Sequence, residues 1–143
     1  MINFFKKENT DLKTLREDIK TISNDLFDII KIPFEETTEL QRQIIATFAF
    51  GMVNSIGMQN KLMPPDVHAL TIIMLVECFK YSTKQAVAFA DDLISAATTS
   101  DRNDTHKAII HRGIDGHYHY TNGQKDKVGE NLLNIIEILE DKQ

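Results

Sequence analysis

The sequence predicts an all-α protein, a single-domain bundle of about six helices. Apolar residues recur at spacings of three and four along most of the chain, and no alternating pattern of useful strand length occurs. A length of 143 residues is typical of one domain and is enough to enclose one core. Apolar residues make up 42% and charged residues 26%, as in folded rather than disordered proteins. We therefore treat residues 1–143 as one α-helical domain, with residues 1–9 as a loose N-terminal segment.

The ends of the predicted helices follow from caps and helix breakers. Thr38, with Gln41 three residues later, matches the capping-box pattern of a helix N-terminus. Pro33 ends the helix before it, because the residue that precedes a proline leaves helical geometry. The pair Asn122-Gly123 is typical of a helix C-terminus, since both residues tolerate left-handed backbone angles. With the apolar spacing, these signals predict helices from Thr10 or Asp11 to Pro33, Thr38 to about Gln59, Pro65 to Lys80, Thr83 to about Ala97, Asp104 or Thr105 to Thr121, and Lys125 to Glu140.

The pattern also predicts how some of these helices pack. The third helix is apolar on nearly every face, which indicates a central position in the bundle. His68 on that helix is therefore expected to be a buried histidine with satisfied hydrogen bonds. Gly51 and Gly57 lie inside the second helix, where each costs about 1 kcal/mol of helix propensity relative to alanine. We expect both glycines to be retained for close packing against a neighbouring helix.

Charge and cysteine content exclude several classes of function. Sixteen basic against twenty-one acidic residues give a net charge of −5, whereas nucleic-acid binding requires clustered lysine and arginine. Cys78 is the single cysteine, so the chain has no disulfide framework, and the apolar neighbours of Cys78 predict a buried thiol. The sequence contains neither a signal-peptide pattern nor an apolar run of membrane length. We therefore expect a cytoplasmic protein that binds neither nucleic acid nor a membrane.

Four of the five histidines lie in one short segment, residues 106–120. Within a helix, His111, Asp115 and His119 are spaced four apart and share one polar face. The side expected to pack against the bundle carries Ile109, Gly113 and Gly116.

Three interpretations of this segment are open. A metal site would use His111, Asp115 and His119, but no His-Glu-x-x-His, Glu-x-x-His or His-Asp motif accompanies them. A structural interpretation has Asp115 orient one of these histidines and Arg112 pair with a carboxylate from another helix. A recognition interpretation uses the rigid aromatic and planar polar side chains to contact a partner protein. The residues assigned to a partner-binding or structural motif are Arg112, Asp115, His117, Tyr118, His119 and Tyr120.

The remainder of the sequence carries no enzyme signature. It has no Gly-x-Ser-x-Gly nucleophile elbow and no glycine-rich phosphate loop. The carboxylate pairs Glu35-Glu36 and Asp91-Asp92 join neighbours in sequence, whereas acid/base dyads join residues distant in the chain. The sequence therefore predicts no catalytic residue and no cofactor.

A late-helix segment of the Arg-Gly-x-x-Gly-x-Tyr type within a small, acidic, all-helical chain resembles the immunity proteins of bacterial polymorphic toxin systems. The resemblance covers most of the chain in helical layout. It implies a cytoplasmic bacterial protein that binds a cognate toxin domain and blocks it, without a cofactor and without turnover. The residues that carry it are Arg112, Gly113, Gly116, Tyr118 and Tyr120.

The sequence thus predicts a non-enzymatic, immunity-type protein that binds and neutralises a cognate bacterial toxin by occlusion. One alternative is a metal-dependent helical hydrolase that uses the 106–120 histidine cluster, with Asp91 or Asp92 as a further ligand. The other alternative is a helical regulator or scaffold that acts as a homodimer through its apolar second and third helices.

Overall fold

The chain folds into a bundle of α-helices, and the computed structural model describes residues 2–99 and 104–142 of it. Side chains are described for residues 12–99 and 105–142. The described residues contain six α-helices and no strand, so the predicted all-α single-domain bundle is confirmed. No helix within these ranges is long and apolar enough to cross a membrane. The helices are α1 (Ile2–Ile30), α2 (Glu39–Gln59), α3 (Pro64–Glu77), α4 (Thr83–Thr98), α5 (Asp104–Thr121) and α6 (Lys125–Asp141), with a 3₁₀ helix at Phe34–Glu36.

The capping signals in the sequence form as predicted. The backbone N–H of Gln41 donates to Oγ1 of Thr38 at 3.1 Å, and the N–H of Thr38 donates to Oε1 of Gln41 at 3.0 Å. After α5, Gly123 has a φ of 74°, and the N–H of Gln124 donates to the carbonyl oxygen of His119 at 2.9 Å. These bonds satisfy backbone groups that a helix end leaves without intrahelical partners.

The first helix begins earlier than predicted. α1 starts at Ile2, so the caps expected at Thr10 or Asp11 are wrong. Neither proline nor glycine occurs within α1, and nothing in its sequence therefore interrupts the helix. The prediction that residues 1–9 form a loose N-terminal segment stays a prediction. The caps predicted for α5 at Asp104 or Thr105 are also wrong, because α5 already includes both residues.

The second helix, not the third, occupies the centre of the bundle. α2 buries thirteen residues and packs against α1, α3, α5 and α6, whereas α3 buries four. The predicted central position of the third helix is wrong, because α3 lies at the edge and keeps Ile72, Ile73 and Val76 only half-buried. His68 was expected in the core, but its side chain is 40% exposed and its Nε2 lies 3.1 Å from Oδ1 of Asp91 on α4.

Glycines let α2 and α5 approach until their backbones touch. A methyl group on Gly51 would lie 2.8 Å from the Cα of Gly113 and would collide with the carbonyl oxygen of Ile110. A methyl group on Gly113 would collide with the carbonyl oxygen of Phe48. On Gly57 the nearest atom would be a methyl of Val67 at 3.1 Å. The prediction that Gly51 and Gly57 serve close packing is therefore confirmed.

We expect the Gly113→Ala variant to be destabilised by at least about 2 kcal/mol, because the added methyl meets backbone atoms that cannot rotate away. Urea unfolding followed by circular dichroism measures this loss. Gly129→Ala on α6 is the matched control, since its methyl would meet Cγ2 of Ile29 at 3.1 Å and the carbonyl oxygen of Ile29 at an ordinary contact distance of 3.6 Å. We expect its change to stay within about 1 kcal/mol. A wild-type unfolding midpoint for Gly113→Ala would show that the two backbones are not in contact.

Candidate functional site

Helix α5 carries the predicted motif, and its two sides are arranged as the sequence indicated. Gly113, Gly116 and Ile109 are buried against the bundle, which confirms the predicted packing side. His111 and Asp115 are exposed on the other side. Side chains on one side of α5 therefore pack against the bundle, and those on the opposite side are accessible to a partner.

His117 is the one histidine of the segment that lies in the core. It is 3% exposed, and its Nδ1 lies 2.9 Å from Oγ of Ser55 on α2. Burial lowers the pKa of His117 and favours the neutral ring. A neutral imidazole forms this hydrogen bond without a buried charge, so His117 stabilises the contact between α2 and α5. Burial leaves His117 without a surface through which it could contact a partner.

Arg112 links α5 to α6 through hydrogen bonds. One guanidinium nitrogen, Nη1, donates to Oδ1 of Asn131 at 2.9 Å and to Oδ1 of Asn134 at 3.2 Å. The side-chain amide of Asn131 donates in return to the carbonyl oxygen of Arg112 at 3.2 Å. The structural interpretation was right that Arg112 reaches another helix, but its acceptors are amides. The prediction that Arg112 pairs with a carboxylate is therefore wrong.

Tyr120 joins α5 to α1 and to the start of α6. Its hydroxyl donates to Oδ2 of Asp25 at 2.9 Å, and Nζ of Lys125 lies 2.8 Å from the same oxygen. Lys125 also lies 5.5 Å from the centre of the Tyr120 ring. Burial raises the pKa of Tyr120, and the neighbouring Asp25 carboxylate raises it further. Sequence reasoning missed Asp25, because 95 positions separate it from Tyr120 and no local pattern links them.

The three candidate metal ligands do not form a cluster with other ligands. His111 and Asp115 are exposed, and His119 is half-buried with its ring 5.7 Å from that of Tyr118. Among the described residues, no group of three histidine, cysteine or acidic side chains is placed to hold a metal ion. Among the described residues, no hydrogen bond joins the exposed Asp115 to His111 or His119. The prediction that Asp115 orients one of these histidines is therefore wrong. Asp91 on α4, the further metal ligand considered, instead contacts His68 on α3.

Cys78 is buried, as predicted. It is 3% exposed, and burial raises the pKa of its thiol to about 11. A thiol with this pKa is overwhelmingly protonated at neutral pH, so Cys78 is not an activated nucleophile.

A groove between α2, α4 and α5 was not predicted. Its volume is about 410 Å³, and its lining includes Glu39, Tyr81, Phe89, Asp92 and His106. Only helix packing brings these residues together, and no spacing in the sequence indicates it. His106 and Asp115 are nine positions apart on one helix, which places them about half a turn apart around its axis. The groove and the exposed polar side of α5 are therefore different surfaces.

The buried His117 predicts a loss of stability in mild acid. Its pKa in the folded state lies below the ordinary value of 6.5, so the unfolded chain takes up this proton at a higher pH than the folded chain. The stabilising contribution is complete above about pH 6.5 and is lost as the pH falls towards the lowered pKa. Urea unfolding at about pH 8 and about pH 5 measures the difference.

The control for this measurement is His117→Gln, which retains a hydrogen-bonding group but cannot titrate. Each protein is compared with its own stability at the higher pH, so a general weakening of the variant does not affect the comparison. The variant should show a smaller loss in acid than the wild type. An equal loss in both proteins would mean that other groups cause it.

Comparison with known proteins identifies a family for the chain. The chain matches the model of a protein family described as Immunity protein 48 over residues 15–140. A search of curated proteins and a search of solved structures gave no match. The matched range begins within α1 and ends within α6, so it includes every helix of the bundle at least in part. The chain belongs to the Immunity protein 48 family.

Proposed function

We propose that this protein binds the cognate toxin of a bacterial polymorphic toxin system and neutralises it by covering its active site or substrate groove. The family match over residues 15–140 is the observation that carries the proposal. An immunity protein acts as a stoichiometric binder, so we propose no catalytic residue and no cofactor. We also propose that it acts in the bacterial cytoplasm, where it would meet a toxin that reaches or arises in that compartment.

The charge of the chain supports this mode of action. A net charge of −5 would accelerate association with a basic partner through long-range attraction. Nucleases and other enzymes that act on anionic substrates carry basic grooves, and an acidic protein that covers such a groove competes directly with the substrate. The same charge disfavours nucleic acid itself as the ligand.

The contacts of α5 divide the predicted motif into two parts. Arg112, His117 and Tyr120 make the internal contacts described above, and they support a structural role. Tyr118 is 64% exposed, Asp115 is exposed as well, and His119 is half-buried. The prediction from the sequence that this helix binds the toxin rests on these exposed residues, and it stands as the alternative to docking elsewhere on the bundle.

The homodimer alternative loses one of its two proposed surfaces. α2 buries most of its residues inside its own chain and cannot offer an apolar face to a second copy. α3 keeps a half-buried apolar edge, so a dimer through that helix alone stays open to a test by size-exclusion chromatography.

The proposal predicts stoichiometric inhibition of the toxin domain encoded by the neighbouring reading frame. When purified protein is titrated into that toxin, its activity should fall linearly and vanish near one-to-one, as expected when the concentrations far exceed Kd. A toxin domain from an unrelated system is the control and should keep its activity. The metal-dependent hydrolase alternative predicts protection at far less than one equivalent, together with loss of protection after chelation. That outcome would contradict occlusion.

A further inference from the structure

We propose that the groove between α2, α4 and α5 receives an arginine side chain of the toxin. This inference rests on the proposed function and adds a docking surface and the chemistry of the contacting residue. The groove is lined by aromatic and acidic side chains, and its volume of about 410 Å³ lies within the range of roughly 300–1,000 Å³ of ligand-binding clefts. It is therefore large enough for a long side chain and part of the loop that carries it.

Two aromatic rings form one part of the groove lining. The rings of Tyr81 and Phe89 lie 5.6 Å apart at an angle of 86°, in an edge-to-face arrangement. In this arrangement the edge of one ring contacts the face of the other. A guanidinium group is attracted to the face of such a ring, and more so where water is excluded.

Two carboxylates contribute to the groove in different ways. Oε1 of Glu39 accepts a hydrogen bond from the Tyr81 hydroxyl at 3.0 Å, and Oε2 accepts one from Arg42 at 3.1 Å. Glu39 is thus held in place and partly neutralised. Asp92 is exposed and makes no hydrogen bond or ion pair with any described residue. The carboxylate of Asp92 is therefore available to a cation that enters the groove.

An arginine side chain meets these conditions better than lysine does. Its planar guanidinium stacks on aromatic rings and presents five N–H donors, so it can contact an aromatic ring and the Asp92 carboxylate together. The lysine ammonium is a compact, strongly hydrated charge and cannot stack in this way. The negative charge of the chain would attract a basic toxin surface to the groove.

A small probe tests the groove without the toxin. N-acetylarginine amide is titrated into the ¹⁵N-labelled protein, and N-acetylcitrulline amide, which is neutral and of similar shape, is the control. We expect saturable shifts of the Phe89, Asp92 and His106 amide signals with a Kd on the order of millimolar. Those shifts should be absent with the citrulline probe and in Asp92→Lys. Equal shifts with both probes, or arginine shifts centred on Asp115 and Tyr118, would overturn the proposed site.

A second experiment tests the groove in the complex with the toxin domain from the neighbouring reading frame. Calorimetry compares Asp92→Lys with Asp115→Lys, which is the same charge reversal on the exposed side of α5. Both residues are exposed, so both variants should keep the wild-type Tm within a few degrees. We expect Asp92→Lys to weaken binding at least about tenfold and Asp115→Lys to change it by no more than about twofold.

The outcomes separate the two proposals. If the wild type binds the toxin but Asp92→Lys binds equally well, the groove proposal is wrong and the proposed function stands. A strong loss in Asp115→Lys alone would assign docking to α5 instead. If the wild type neither binds nor inhibits the toxin, the proposed function is wrong, and with it the assignment of the groove to a toxin.

Discussion

The backbone contact between α2 and α5 is the constraint on which the rest of the structure depends. Gly51 and Gly113 leave no room for a side chain where the two helices meet. Because α2 is already enclosed by the other helices, this contact determines how α5 is rotated against the core. The rotation directs His117 towards Ser55 and leaves Asp115 and Tyr118 outside. The division of α5 into an internal and an exposed side is therefore a consequence of two small residues.

Local chemistry could be predicted from the sequence, and long-range contacts could not. The capping box at Thr38 and the packing role of Gly51 depend on near neighbours or on residue size, so both were predictable. The partner of Tyr120 lies 95 positions away, and nothing in the local pattern indicates it. The position of α3 was misjudged for a related reason. A helix that is apolar on all faces suits a central position and a partly exposed edge equally well until its neighbours are known.

The functional interpretation changes once the histidine cluster is placed in three dimensions. Arg112 and Tyr120, which seemed suited to recognition, hold α5 against α6 and α1. The features that would suit a basic partner lie elsewhere, in the groove lined by Tyr81, Phe89 and Asp92. Membership of an immunity protein family is consistent with a small acidic bundle that lacks an enzyme signature. The proposed function, toxin binding, accounts for these observations together.

Hydrogen–deuterium exchange of the free protein and of its toxin complex tests this account most directly. Exchange is read along the whole backbone, so it reports the covered surface without a prior choice of residues. The account predicts that the toxin slows exchange around residues 81–92 and at the start of α5. Protection confined to the second half of α5, near Asp115 and Tyr118, would contradict it.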